Sequence, residues 1–146
     1  MEKLVKSDIK TLIPEDVIQN KIKEMAEVLN NEYKDSEVYV VCVLKGAVMF
    51  ATEMVKYLKM PLRMEFIRLS SYGSNFTSSG KVNAVDISLP DLNGKNVLVL
   101  EDIIDTGHTA MFLTQFINHN FKVRSSDPEA TNKESLENLT VLTQFV

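Results

Sequence analysis

Cysteine is almost absent from this chain. The single one, Cys42, leaves no partner for an internal disulfide. It lies inside the apolar run Val38-Tyr39-Val40-Val41-Cys42-Val43-Leu44, where a free thiol packs as a small, inert hydrophobe. Long apolar stretches are lacking too. No run approaches the length of a membrane span, and Met1 to Lys6 contain no apolar core of signal-peptide length. These absences set the expectation of a reducing, cytoplasmic compartment. Positive charge is in deficit, with 16 Lys and Arg against 20 Asp and Glu and a net charge of −4. That removes the electrostatic footprint for nucleic acid or an anionic membrane. Any anion must be held locally, by a loop or a helix end. The phosphate motifs G-x-x-x-x-G-K-[ST] and G-x-G-x-x-G are both missing. There is no internal repeat and no low-complexity tract. The seven methionines are spread along the chain and read as core filler rather than a metal site.

What is present suits one soluble domain of residues 1–146, 45% hydrophobic and 25% charged. Residues 14–33 read as a helix. Pro14 suits its first turn, Glu15 and Asp16 follow at the positive end, and Val17, Ile18, Ile22, Met25, Ala26 and Leu29 recur at helical spacing. Val38–Leu44 is a continuous β-branched run, the pattern of a strand covered on both faces. Gly46 ends it, and Val48–Lys59 reads as a helix stopped by Pro61. Met64–Leu69 is a second strand, 70–80 a polar loop, and Lys81–Ile87 a more exposed strand. Asn93-Gly94 marks a turn. Val97–Leu100 is another buried strand, followed by a helix beginning near Ala110 with Leu113, Phe116 and Ile117 on its inner face. Residues 122–137 read as a polar loop, and Leu139–Val146 as one more strand. This alternation predicts an α/β domain: three layers, with a mostly parallel central sheet flanked by helices.

The chemistry concentrates in "VLVLEDIIDTGHTA", residues 97–110. In open α/β sheets, ligands bind at the carboxyl ends of strands, where Glu101 and Asp102 are expected. Successive strand residues point to opposite faces, so the two acids need not crowd each other. Carboxylates there accept hydrogen bonds from a sugar diol or hold a divalent cation. A solvated strand end is the plain alternative. Asp105, Thr106, Gly107, His108 and Thr109 then lead into a helix start, with its outward N–H groups and positive dipole end. Gly107 permits close backbone approach, and the two threonines add hydroxyl donors. This is a small phosphate cradle. A simple N-cap would account for only one of the five residues. At His108 the backbone N–H suffices for a phosphate, with the imidazole as the alternative contact. His119 lies near a helix end and carries no assignment. Acids for hydroxyls or a metal, beside a cradle for phosphate, describe a phosphorylated sugar.

This stretch resembles the phosphoribosyl pyrophosphate (PRPP) signature of type I phosphoribosyltransferases, the hypoxanthine-guanine branch in particular. "VCVLKGAVMF" (41–50) resembles that branch's pyrophosphate loop, and "MEFIRLSSYGSNFTSSGKV" (64–82) the strand and mobile loop that close over its site. The likeness covers roughly residues 10–118, with the motifs in order. It implies that Glu101 and Asp102 hold the ribose hydroxyls and organise Mg²⁺. It makes Asp105 the general base at the purine, and Thr106, Gly107, His108 and Thr109 the 5′-phosphate site. It sets Lys45 and Gly46 against the pyrophosphate through backbone amides freed by a cis peptide. Arg68 lies near the pyrophosphate, and Ser71 and Tyr72 sit on the closing loop.

The function implied is Mg²⁺-dependent purine salvage: hypoxanthine or guanine plus PRPP giving IMP or GMP plus pyrophosphate, in a homo-oligomer. The alternative is a PRPP- or nucleotide-binding regulatory or inactive protein on the same fold. A phospho-acceptor signalling domain would need an acid pair after the first strand, where this chain has Lys45-Gly46. The family continues past its last parallel strand with an Asp-Lys-Pro-like turn and a base-binding hood. No such turn follows "LTVLTQFV" (139–146), so the chain is expected to be C-terminally incomplete relative to that family.

Overall fold

The run Val38–Leu44 forms strand β1, and six of its seven residues are buried, as a strand covered on both faces requires. The computed structural model describes residues 10–71, 82–104, 107–123 and 140–145. Before β1 comes helix α1, Glu15–Glu32. After it come helix α2 (Val48–Val55), strand β2 (Leu62–Ser71), strand β3 (Val82–Asp86), strand β4 (Asn96–Ile103), helix α3 (His108–Asn120) and strand β5 (Thr140–Phe145). The five strands make one sheet in the order β3-β2-β1-β4-β5. β1 pairs in parallel with β2 and β4, and β4 with β5; β3 alone is antiparallel, at the edge beside β2. The α/β architecture expected from the sequence is the one observed.

Alternation along the strands splits the core in two. Val38, Val40, Cys42, Leu98 and Leu100 face α1 and α2, packing with Ile22, Ala26, Leu29, Phe50 and Met54. Tyr39, Val41, Val43, Val97 and Val99 face α3, packing with Leu113 and Ile117. Among the described residues no helix is long and apolar enough to cross a membrane.

Several boundaries differ from the sequence reading, and for four of them the structure shows the reason. Pro14 is the N-cap of α1 rather than part of its first turn, with an extended ψ of 149°. Helix α2 stops at Val55, not Lys59. Asn30 of α1 takes over the backbone groups that would have continued it: its Nδ2 donates to the Tyr57 carbonyl at 2.9 Å, and its Oδ1 accepts from the Lys59 N–H at 2.7 Å. Strand β4 continues to Ile103 because β5 extends the ladder, pairing Glu101 with Thr143 and Ile103 with Phe145. Glu101 and Asp102 are therefore strand residues. Helix α3 starts at His108, two residues before Ala110, because Gly107 takes the N-cap with φ +78°. The Asn93-Gly94 turn forms as expected; the Gly94 N–H donates to the Lys122 carbonyl at 2.7 Å. Most of the polar loop at 122–137 lies outside the described residues.

Candidate active site

The chain order reverses at β1. It moves from β1 to β2 on one side, then returns to place β4 on the other. A doubly wound sheet opens a crevice at such a switch point, beyond the carboxyl ends of the flanking strands. Here those ends are Leu44, followed by Lys45 and Gly46, and Glu101-Asp102. The sheet thus brings together two segments more than fifty residues apart in sequence.

On the β1 side, the Leu44–Lys45 peptide bond is cis, as the family resemblance implied. Lys45 and Gly46 are both exposed. Gly46 lies hard against β4. A Cβ built there would stand 2.8 Å from Cγ of Asp102 and 2.8 Å from its Oδ1. The β1–β4 register explains the approach. Cys42 is level with Leu100, and two further residues bring Leu44 level with Asp102. Arg68 of β2 is level with Leu44 and exposed, so it stands beside the same loop. Ser71 closes the β2 ladder opposite Val82. Tyr72 lies outside the described residues.

On the β4 side, Glu101 is half-buried, and its Oε2 is a buried acceptor with no hydrogen-bond partner. Burial first, then the Asp102 charge and a side-chain hydrogen bond with Asp102, push the Glu101 carboxyl up to about 7. Strand alternation does not keep the two acids apart at this end of β4. They interact. Beneath them Cys42 is fully buried, and desolvation, with the Glu101 and Asp102 charges, raises its thiol to about 11. That matches the inert role expected of it.

Glu101 also lines a pocket of about 90 Å³ with Ile103, Ile104, Gly107, His108, Thr109 and Ala110. The pocket joins the acid of β4 to the first turn of α3. The first intrahelical bond of α3 runs from the Met111 N–H to the Gly107 carbonyl, 2.9 Å. The N–H groups of the first turn precede it, where a helix has no internal acceptors for them. They and the dipole make the anion-favouring end. Gly107 is needed for its left-handed φ, since a Cβ there would meet nothing within 4 Å. Of the sequence-derived site, the structure gathers Lys45, Gly46, Arg68, Glu101, Asp102, Gly107, His108 and Thr109 at the carboxyl ends of the inner strands and the start of α3. Asp105 and Thr106 lie outside the described residues.

The sequence reading omitted Ile103, Ile104 and Ala110. Two apolar residues between acids and a glycine turn were a usable signal: they supply a dry wall beside a polar cradle.

Glu101 gives a test of the site's electrostatics. A carboxyl whose folded-state pKa is raised keeps its proton where the unfolded chain has lost it. The native state binds more protons between the ordinary glutamate range and about 7, so stability falls as pH rises through that window. Glu101→Gln removes the ionisation and keeps the shape. Its melting temperature is expected to match the parent near pH 4, below the ordinary glutamate range, and to exceed it by about 2–4 °C near pH 8, corresponding to roughly 1 kcal/mol after allowance for partial exposure. Parallel melting curves across pH check this. A constant difference between the two proteins at all pH values refutes it.

Comparison with known proteins bears on the same residues. A profile of the phosphoribosyl transferase domain matches residues 14–123. The hypoxanthine-guanine phosphoribosyltransferase of Bacillus subtilis is 38% identical over 117 residues, covering 80% of this chain and 65% of that protein. The chain thus spans just under two-thirds of that relative's length. Among solved structures, a hypoxanthine phosphoribosyltransferase from Staphylococcus aureus superimposes with a TM-score of 0.77 at 29% identity, over 98% of this chain and 71% of that one. The Trypanosoma cruzi enzyme in complex with the product IMP superimposes with a TM-score of 0.72, also at 29% identity, over 97% and 73% of the two chains.

Proposed function

The chain belongs to the phosphoribosyl transferase domain family, and on that premise we propose that it acts in cytoplasmic purine salvage, moving the phosphoribosyl group of PRPP onto hypoxanthine or guanine. The observation that carries this reading is the meeting, at the sheet's switch point, of the cis Leu44–Lys45 loop, the Glu101-Asp102 pair and the α3 N-terminus. Each fits one part of PRPP. The backbone N–H groups from Gly107 to Ala110, with the Thr106 and Thr109 hydroxyls, take the 5′-phosphate. Glu101 and Asp102 accept from the ribose hydroxyls. The Lys45 and Gly46 amides face the pyrophosphate, with Arg68 alongside. Ser71 and Tyr72 belong to the segment that closes over the site and excludes water.

In the reaction the C1′–oxygen bond to pyrophosphate breaks and a bond from C1′ to a purine nitrogen forms. The purine gives up a proton, which Asp105 accepts. Mg²⁺ suits this donor set. A hard cation seeks oxygen ligands and often rests on one or two carboxylates plus substrate oxygens and water. The partnerless buried Oε2 of Glu101 is an acceptor of that kind. Among the described residues no group of three or more His, Cys, Asp or Glu is arranged to hold a metal ion, so the substrate would supply much of the coordination. When bound, the ion neutralises charge on the leaving pyrophosphate.

We place the protein in a homo-oligomer. Met49 of α2 and Phe66 of β2 are exposed apolar residues on the helix α1/α2 side of the sheet, suited to contact with a second copy.

The test is product formation. The protein is supplied with PRPP, Mg²⁺ and hypoxanthine, guanine or xanthine, and nucleotide is quantified by chromatography, with PRPP binding followed by calorimetry. IMP or GMP is the expected product. PRPP binding without product would replace the transferase reading with that of a binding or regulatory protein. Neither binding nor product would overturn both.

A further inference from the structure

At the opposite end of the sheet from the acidic pair, α1 leaves for β1 and the α2–β2 connection enters β2. A pocket of about 300 Å³ opens there, larger than the one beside Glu101. Its floor is Met60, 7% exposed, next to Pro61. Asn30 braces one wall. Both ends of its amide are spent on the Tyr57 carbonyl and the Lys59 N–H, so the connection is held in place before any ligand arrives. Lys34 and Lys59 stand on the rim, with Asp35 as the one carboxylate. Asp35 is also the only non-glycine residue with positive φ, +61°, among those described. Such outliers gather at ligand clamps as well as at turns.

The two lysines are uncommitted. The ion pairs of the described residues use Lys21, Lys56 and Arg63, and neither Lys34 nor Lys59 has a side-chain acceptor among the described residues. In a chain of net charge −4, two unspent ammonium groups over a preformed apolar floor are a specific arrangement. We infer that this pocket binds a small organic phosphate or similar anion: its charged group lies between Lys34 and Lys59, and its apolar or aromatic body rests on Met60 and Pro61. Burial of the body supplies hydrophobic affinity, and charge-assisted hydrogen bonds fix the head. Two lysines against one aspartate leave the pocket net positive. This site is separate from the cradle at Gly107. It stands whether or not the transferase reading does.

The experiment is an amide NMR titration of the ¹⁵N-labelled protein with phenyl phosphate, a probe with both a phosphate and an aromatic body. Two groups of shifts are expected: one at Lys34, Asp35, Lys59 and Met60, the other at Gly107 to Ala110. In a Lys34→Glu/Lys59→Glu variant the first group is expected to weaken by at least about tenfold in Kd, while the second is unchanged. The remaining spectrum reports whether the variant is folded, and Lys34→Gln/Lys59→Gln serves if it is not. No shift in the first group at millimolar probe overturns the site. So does a first group that survives both charge variants. Loss of thermal stability in the variants with no probe-dependent shift in the parent would instead assign Lys34 to the negative end of α1, whose last turn contains no basic residue. Shifts in the first group alone would leave this inference intact and count against the cradle.

Discussion

Asp105→Asn is expected to lower turnover of hypoxanthine and PRPP by roughly 10²–10⁴, the usual contribution of a positioned general base, while PRPP affinity stays within about threefold. The substitution keeps the side chain's size and one carbonyl oxygen and removes its capacity to accept a proton. Asp105 and Thr106 lie outside the described residues, but Ile104 before them and Gly107 after them do not. Ile103, Ile104 and Gly107 line the same pocket as Glu101, which brings the acid of β4, an apolar wall and the glycine turn before α3 to one place. A base between them in sequence is proposed to accept the purine's proton while the cradle holds the phosphate. The readout is the split between binding and chemistry. Initial rates give kcat, and calorimetry gives PRPP affinity. The pH profile adds a signature that a purely structural role would not give: the variant loses the acidic limb of kcat. Unchanged turnover removes Asp105 from the chemistry. Equal losses in binding and turnover make it a structural residue of the turn.

The parts of this protein that could be read from the sequence are those fixed by local pattern. The seven-residue run at Val38–Leu44, with no polar interruption, had to be covered on both faces, and it is. The acids at 101 and 102 followed an apolar strand and preceded a glycine turn, so their place near the carboxyl end of β4 was legible. What was not legible depended on partners distant in sequence. The length of β4 was set by β5, some forty residues later. The end of α2 was set by Asn30, on another helix. The interaction of Glu101 with Asp102 was hidden by the alternation rule: it fixes where side chains leave the strand, but not what happens when burial deprives a carboxylate of other partners. The pocket at Lys34 and Lys59 gave no motif at all, because its residues come from two separate stretches, 30–35 and 59–61, and only the fold joins them.

Gly46→Ala is expected to cost on the order of 10²-fold in kcat/KM for PRPP with little loss of fold, because misplacing a binding group by about 1 Å has effects of that size. The reason is steric rather than conformational. Gly46 does not use a left-handed φ, unlike Gly94 and Gly107, and alanine is acceptable to its backbone. The obstacle is the Asp102 carboxylate, 2.8 Å from the site of the new methyl at both Cγ and Oδ1. No side chain as short as aspartate can retreat from that contact and keep its oxygens where they were, so the methyl displaces the acid or forces the β1 loop away from β4. Either movement separates the Lys45 and Gly46 amides, proposed to meet the pyrophosphate, from the acid pair. The fold itself is spared, since Gly46 is exposed and the core of β1 ends before it. A double-mutant cycle identifies the cause. Asp102→Ala removes the obstacle, so adding Gly46→Ala to it should do little further harm, and the two losses will be strongly non-additive. Calorimetric PRPP affinity and kcat/KM, measured for the parent, both single variants and the double, supply the cycle. Additive losses would mean that Gly46 matters for its own amide or its backbone, and that its closeness to Asp102 has no part in binding.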